Sequence, residues 1–197
     1  MSSLYHEIVG ALVPLVRMLE QQRIVYYIGG SVSSSLHGIA RHTNDVDVIA
    51  QLRPSHIPVL VQALQQDYYL DEAAWTDAVR RGFSYNLLYL PTMTKIDVMP
   101  LRQRAFTREE ERRAQSTILE AGAPPMRIAS AEDAVLSKLE WFLQGGRSST
   151  RQWNDILGVL RQQKGTIDRK YLHKWADVLG IRDLLEQALA DAGFTQS

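Results

Sequence analysis

Two carboxylates separated by a single residue are the feature of this chain best suited to chemistry. Asp45 and Asp47 lie in the segment Asp45-Val46-Asp47-Val48, which has the composition of a strand. Residues two apart in a strand face the same side, so both carboxylates project together. Their repulsion offers folding no gain, whereas a hard divalent cation such as Mg²⁺ would neutralise it. The pattern therefore predicts a metal site, with a solvated strand end as the structural alternative.

A glycine pair followed by serine, Gly29-Gly30-Ser31, ends the apolar segment that precedes this strand. Glycine lets the backbone approach a phosphate closely, and the amides that open a helix point at it with the positive end of the helix dipole. The tripeptide is thus a candidate phosphate cradle, in which Ser31 either caps the helix or donates to a phosphate oxygen. An ordinary strand-to-helix turn would use the same residue types.

A third carboxylate, Asp97, lies in a segment whose alternation puts it on the face opposite Ile96 and Val98. If this strand pairs beside the strand of Asp45, three carboxylates share one face. That arrangement suits a two-metal site, in which one carboxylate also serves as general base for an attacking hydroxyl. Taken alone, Asp97 would be a surface residue.

Five further polar residues carry weaker signals. Lys138 lies within the apolar stripe of its predicted helix, where it either reaches the edge or points into a cleft and binds phosphate. Helical periodicity puts Asp155 opposite an apolar stripe, in solvent. Arg41 could contact a phosphate or hold its own loop. His37 and His42, which flank that loop, could bond either backbone or substrate.

Hydrophobic periodicity predicts the elements that must hold these residues. Strands are expected at 23–28, 45–50, 67–70, 83–90, 95–99 and 126–129, and helices at 4–21, 31–36, 55–65, 71–80 and 107–114. From residue 130 onward the pattern is helical, with helices expected at 131–143, 150–162, 168–179 and 181–192. We predict an α+β fold: an α+β core over residues 1–129, and a C-terminal helical region over residues 130–197 packed on that core.

Composition narrows the class of protein. The 197 residues are 45% hydrophobic, and 22 Lys and Arg balance 22 Asp and Glu, which argues against a broad basic face for nucleic acid. The absence of cysteine excludes disulfides, thiolate zinc sites and a cysteine nucleophile. The sequence contains neither a signal-peptide pattern nor an apolar run near the roughly 20 residues of a membrane span. A cytoplasmic protein without membrane contact is expected.

Taken together, Gly29-Gly30-Ser31, Arg41, Thr43 and Asp45-Val46-Asp47 resemble the signature of the polymerase-β-like nucleotidyltransferase superfamily. Within it, the chain looks most similar to bacterial minimal nucleotidyltransferases related to the AbiEii toxins. Asp97 matches the family's third carboxylate, and the segments around Lys138 and Asp155 fit its later lysine and aspartate motifs. The resemblance therefore makes Lys138 and Asp155 site residues.

The resemblance implies a central mixed sheet, Mg²⁺, and transfer of a nucleoside monophosphate from a nucleoside triphosphate such as ATP with loss of pyrophosphate. By that analogy three carboxylates hold metal, and the third also activates the acceptor: Asp45, Asp47 and Asp97. A second set of residues binds the nucleotide: Gly29, Gly30, Ser31, Arg41 and Lys138. Within this set, Gly30 and Ser31 cradle the β- and γ-phosphates. Lys138 and Asp155 complete the catalytic set.

The sequence thus predicts a Mg²⁺-dependent nucleotidyltransferase acting on an RNA, including tRNA, or on a protein side chain. A toxin role, with an antitoxin protein as partner, would agree with the resemblance. Two alternatives stay open: a nucleotide-binding regulatory module without turnover that acts through a protein partner, and a metal-dependent phosphoesterase. The three intact carboxylates argue against the first, and the glycine–serine cradle favours a triphosphate over the substrates of the second.

Overall fold

The computed structural model describes residues 5–41, 43 and 45–194, so His42 lies outside the described residues. This part of the chain divides into two compact units. The first comprises residues 5–29, 43 and 45–128, and the second comprises residues 30–41 and 129–194. The second unit therefore takes in a short segment from the N-terminal half of the chain. The predicted domain division at residues 129 and 130 stays a prediction.

The strands all belong to the first unit. They are β1 (Tyr26–Ile28), β2 (Asp45–Ala50), β3 (Tyr68–Tyr69), β4 (Tyr85–Tyr89), β5 (Thr94–Pro100), β6 (Gln115–Thr117) and β7 (Met126–Ile128). They form one sheet in the order β3-β4-β5-β2-β1-β7-β6. The sheet is mixed, because β2 pairs with β5 and β1 with β7 in parallel, whereas the other neighbours are antiparallel.

The helices are shared between the units. They are α1 (His6–Gln21), α2 (Gly30–His37), α3 (Ile57–Leu64), α4 (Glu72–Arg81), α5 (Ala105–Arg113), α6 (Ala131–Gln144), α7 (Thr150–Gln162), α8 (Arg169–Leu179) and α9 (Arg182–Asp191). A 3₁₀ turn, Pro54–His56, leads into α3. In the first unit α1 packs against α3 and β5 through a fully buried leucine face that includes Leu12, Leu15 and Leu19.

The second unit consists of α2 and α6 to α9. Here α6 packs against α7 and α8, and α2 packs against both α6 and α7. The helices begin where polar side chains satisfy their first backbone amides. Ser130, Ser149 and Asp168 cap α6, α7 and α8, each accepting a hydrogen bond from the backbone N–H three residues on.

The α+β class with a mixed sheet is confirmed, and two elements differ from prediction. The first strand begins at Tyr26 rather than residue 23, because Arg23 adopts a left-handed φ of 54° in the turn after α1. The polar strand β6 was missed, because it lacks hydrophobic alternation and is stabilised by its pairing with β7. Among the described helices, none is long and apolar enough to cross a membrane.

Candidate functional site

The three predicted carboxylates lie on the neighbouring parallel strands β2 and β5 of the first unit. We call the side chains of Asp45, Asp47 and Asp97 the acidic group. The register puts Asp47 directly opposite Asp97. The intervening Val46 and Val48 point to the other face and are fully buried. The alternation of β2 thus anchors the strand through its valines and leaves its carboxylates on the more open face.

A lysine lies among these carboxylates. Lys95 is the register partner of Asp45, and its Nζ lies 2.9 Å from Asp97 Oδ2 and 3.8 Å from Asp45 Oδ1. The hydrogen bond to Asp97 raises the pKa of Lys95; partial burial acts in the opposite direction, and the nearby negative charges add to the increase. Sequence reasoning missed Lys95. The two-residue spacing from Asp97 would have placed it on the same face.

The donor atoms of the acidic group fit Mg²⁺. Proteins usually bind this ion through one or two carboxylates together with substrate phosphates and water. Asp97 Oδ1 is buried and has no hydrogen-bond partner among the described residues, so it is an oxygen donor open to a ligand. Among the residues that the structure describes, however, no three His, Cys, Asp or Glu side chains already converge as a metal-binding group. Lys95 Nζ instead lies near two of the carboxylates.

The start of β2 is held by hydrogen bonds from both sides. The buried Thr43 hydroxyl accepts from the Asp45 N–H at 3.3 Å and donates to the Asp45 carbonyl at 3.1 Å. Gly29 N–H donates to the Asp47 carbonyl at 3.0 Å. The amide of Gly29 is therefore already used in extending the pairing of β1 with β2, which leaves Gly30 and Ser31 as the amides of the predicted cradle.

The second unit contains a group of charged side chains that we call the cationic cluster, formed by Arg41, Lys138 and the Asp155 that they share. Arg41 donates to Asp155 through two nitrogens, Nε to Oδ1 at 2.9 Å and Nη2 to Oδ2 at 2.8 Å. Lys138 Nζ donates to Asp155 Oδ2 at 2.9 Å. Two cations for one carboxylate leave the cluster with a net charge of +1.

Burial makes these interactions stronger than surface ion pairs. The side chains of Asp155 and Lys138 are only 10% and 11% exposed. Burial on its own would raise the pKa of Asp155, but the hydrogen bonds from Arg41 and the charge of Lys138 outweigh it and lower that pKa. The periodicity argument that placed Asp155 in solvent was therefore wrong. The face of α7 away from its apolar stripe is covered here by cationic side chains rather than by water.

The first turn of α2 joins this cluster. Arg41 Nη2 donates to Ser31 Oγ at 3.1 Å, so Arg41 connects the serine to Asp155. Gly30 has a φ of 53°, a left-handed conformation that glycine adopts without strain. Of the predicted site residues, the second unit thus brings together Ser31, Arg41, Lys138 and Asp155.

Close backbone contacts hold α2 in register with α7. A Cβ at Gly38 would lie 2.8 Å from both the Ser34 carbonyl oxygen and the Val159 nitrogen, so this position requires glycine. His37 bonds the Ala129 carbonyl through its ring at 2.9 Å. Of the two interpretations of His37, contact with the backbone is the one observed.

The lowered pKa of Asp155 leads to a prediction about acid stability. A carboxyl whose folded pKa is depressed contributes stability above its unfolded pKa of about 3.9, and that contribution is lost as pH falls through the folded pKa. Asp155→Asn should therefore lower the free energy of unfolding most at pH 7, and this deficit relative to wild type should shrink below pH 4. Urea unfolding at pH 7, 4 and 2.5 measures this difference.

The control is Asp77→Asn, because Asp77 is 62% exposed and pairs only loosely with Arg81 at 3.5 Å. Its free energy of unfolding should follow that of wild type at every pH. An Asp155→Asn deficit that stays constant from pH 7 to 2.5 would contradict the prediction.

Comparisons with known proteins place the fold. The sequence matches no protein-family model and no curated protein. The structure is similar to the solution structure of the antibiotic-resistance factor ANT(2'')-Ia, with a TM-score of 0.52 at 11% identity over 94% of both chains. It is also similar to the crystal structure of ANT(2'')-Ia in complex with adenylyl-2''-tobramycin, with a TM-score of 0.56 at 13% identity over 90% of this chain and 99% of that one.

A third structure is an antigenic nucleotidyltransferase-like protein from Paracoccidioides brasiliensis. It has a TM-score of 0.54 at 17% identity, and the match covers 92% of each chain. At such low identities the likeness concerns the fold alone. The chain therefore shares the fold of these three structures.

Proposed function

We propose that this protein is a Mg²⁺-dependent nucleotidyltransferase that moves a nucleoside monophosphate from a nucleoside triphosphate to an RNA or protein acceptor. The observation that carries the proposal is the register of β2 and β5, which faces Asp47 with Asp97 on a sheet of this fold. A net positive cluster beside the first turn of α2 supports the binding of a triphosphate in the second unit.

Each group has a role in this proposal. Asp45, Asp47 and Asp97 would hold Mg²⁺, which would supply the positive charge that a triphosphate and a leaving pyrophosphate require. Gly30, Ser31 and Lys138 bind the β- and γ-phosphates. Asp155 is a positioning residue, because it orients Lys138 and Arg41 through hydrogen bonds of 2.8 to 2.9 Å.

The reaction balances as a displacement at the α-phosphorus. The acceptor oxygen forms a bond to that phosphorus, and the bond to the bridging oxygen of the β-phosphate breaks. The acceptor proton passes to Asp97, and pyrophosphate leaves with the electron pair of the broken bond. Much of the rate would come from alignment and charge neutralisation.

The acceptor defines the finer part of the proposal. The resemblance to AbiEii-related enzymes supports RNA, including tRNA, or protein as acceptor, and a cytoplasmic toxin controlled by an antitoxin. The structure of ANT(2'')-Ia with adenylyl-2''-tobramycin adds a small hydroxylated molecule as an acceptor to be tested.

The test incubates the protein with Mg²⁺ and each α-labelled nucleoside triphosphate in turn, with total cell RNA, total cell protein or an aminoglycoside as acceptor. The double variant Asp45→Asn/Asp47→Asn and the exposed-site variant Asp77→Asn are run in parallel. We expect label in an acceptor, and equimolar pyrophosphate, only with wild type and Asp77→Asn. The labelled fraction identifies the acceptor class.

Two outcomes would replace the proposal. Nucleotide binding without label or pyrophosphate would favour a regulatory nucleotide-binding module. Release of inorganic phosphate or cleavage of RNA would favour a phosphoesterase.

The toxin role is tested separately by inducing expression in a bacterial host, where growth arrest by wild type but not by the double variant is expected.

A further inference from the structure

Lys95 lies on the face of the sheet that carries the acidic group. It lies two residues before Asp97 in β5, on the same face, and is the register partner of Asp45 in β2. Its Nζ is within hydrogen-bonding distance of Asp97 Oδ2, at 2.9 Å, and within ion-pair distance of Asp45 Oδ1, at 3.8 Å. A single ammonium thus interacts with a carboxylate on each of two strands.

We infer that Lys95 is an internal counter-ion of the acidic group and competes with a divalent metal for Asp97 and Asp45. The inference rests on the proposed function, since it assumes that these carboxylates bind metal. It goes further by assigning a role to a residue outside the predicted metal, catalytic and nucleotide-binding sets.

The geometry supports competition rather than coexistence. Lys95 Nζ lies 2.9 Å from Oδ2 of Asp97 and 3.8 Å from Oδ1 of Asp45, so an ion that used these two oxygens would have to displace the ammonium. A divalent ion that bound Asp97 and Asp45 through these oxygens would lie close to the ammonium, and like charges at short range repel. The two cations therefore exclude one another from the same pair of oxygens.

The side chain of Lys95 is able to leave. It is 42% exposed, and its four-carbon stem is flexible, so the ammonium can turn to solvent without disturbing the sheet. In free protein Lys95 limits the repulsion within the acidic group. When a metal–nucleotide complex arrives, the phosphates supply further ligands to the metal and compensate for the lost ion pair. Metal is then expected to bind weakly alone and well with its nucleotide.

The experiment measures binding of Mn²⁺ alone, through the electron paramagnetic resonance signal of the unbound ion, to the full chain. The variants are Lys95→Met, which keeps the stem and removes the charge, and Lys95→Arg, which keeps the charge. Lys170→Met, at an exposed lysine of α8, controls for the change in net charge. We expect Lys95→Met to bind Mn²⁺ about fivefold to tenfold more tightly than wild type. Lys95→Arg and Lys170→Met should remain within about twofold of wild type.

A second readout separates this role from an ordinary surface ion pair. The melting temperature of Lys95→Met should fall in EDTA and recover when Mn²⁺ is added, whereas a merely structural lysine would give a loss that Mn²⁺ does not reverse. Unchanged or weaker Mn²⁺ binding by Lys95→Met would overturn the inference, as would equal tightening in Lys95→Arg.

The outcomes also distinguish the inference from the proposed function. Tighter Mn²⁺ binding by Lys95→Met in a protein that transfers no nucleotide would support the counter-ion role and contradict nucleotidyl transfer. Equal Mn²⁺ binding by wild type and Lys95→Met in an active enzyme would overturn the counter-ion role alone. An absence of Mn²⁺ binding in both proteins, with and without ATP, would overturn both.

Discussion

Asp45→Asn is expected to lower the rate of nucleotide transfer by about 10³-fold, the loss typical of removing one electrostatic stabiliser of a transition state. The amide keeps the shape of the side chain but removes the negative charge that would hold Mg²⁺. The free energy of unfolding should change by less than about 0.5 kcal/mol, because the side chain is 53% exposed and Lys95 Nζ is 3.8 Å away. Pyrophosphate release and urea unfolding measure the two quantities.

This combination separates chemistry from folding. Asp77→Asn makes the same substitution at an exposed aspartate and should leave both quantities unchanged. If Asp45 were only a solvent-exposed residue at a strand end, its substitution would likewise leave the transfer rate and the free energy of unfolding unchanged. Transfer by Asp45→Asn at a rate within tenfold of wild type would therefore contradict the assignment of Asp45 to the metal.

The acidic group could be predicted from sequence because it depends on the alternation of side chains within single strands. A strand has a period of two, so Asp45 and Asp47 had to share a face, and the same period separated Asp97 from Ile96 and Val98. The pairing of β2 with β5 then only had to bring the two strands together. The valines that fix the strand also determine which way the carboxylates point.

The cationic cluster could not be derived in that way. Asp155 meets Arg41 across 114 residues of chain, and periodicity within α7 carries no information about such a partner. Periodicity predicts that a polar helix face is exposed to water, whereas at Asp155 the side chains of Arg41 and Lys138 cover it. The family resemblance selected Lys138 and Asp155. Lys95 was not predicted, although it lies two residues before Asp97 on the same face of β5.

The cationic cluster leads to different expectations for substitutions of Asp155 and of Lys138. Asp155→Asn removes the carboxylate that the largely buried Arg41 and Lys138 share, and should lower the free energy of unfolding by about 3 kcal/mol. Lys138→Met keeps the bidentate pair of Arg41 with Asp155 and fills the same volume, so it should cost at most about 1 kcal/mol. Urea unfolding of both variants at pH 7 measures this contrast.

For ATP binding, Lys138→Met should have the larger effect and Asp155→Asn the smaller one. Lys138→Met removes the cation that is proposed to bind the triphosphate, and ATP should bind at least about tenfold more weakly, as expected for loss of one charge-assisted contact. Any folded fraction of Asp155→Asn keeps both cations and should bind ATP within about fivefold of wild type, since only their orientation is relaxed. Calorimetric titration with ATP and Mg²⁺ tests this, with Lys170→Met as the matched lysine control. If Lys138→Met bound ATP as tightly as wild type but unfolded as readily as Asp155→Asn, Lys138 would be a structural partner of Asp155 and the triphosphate would have to be held by other groups.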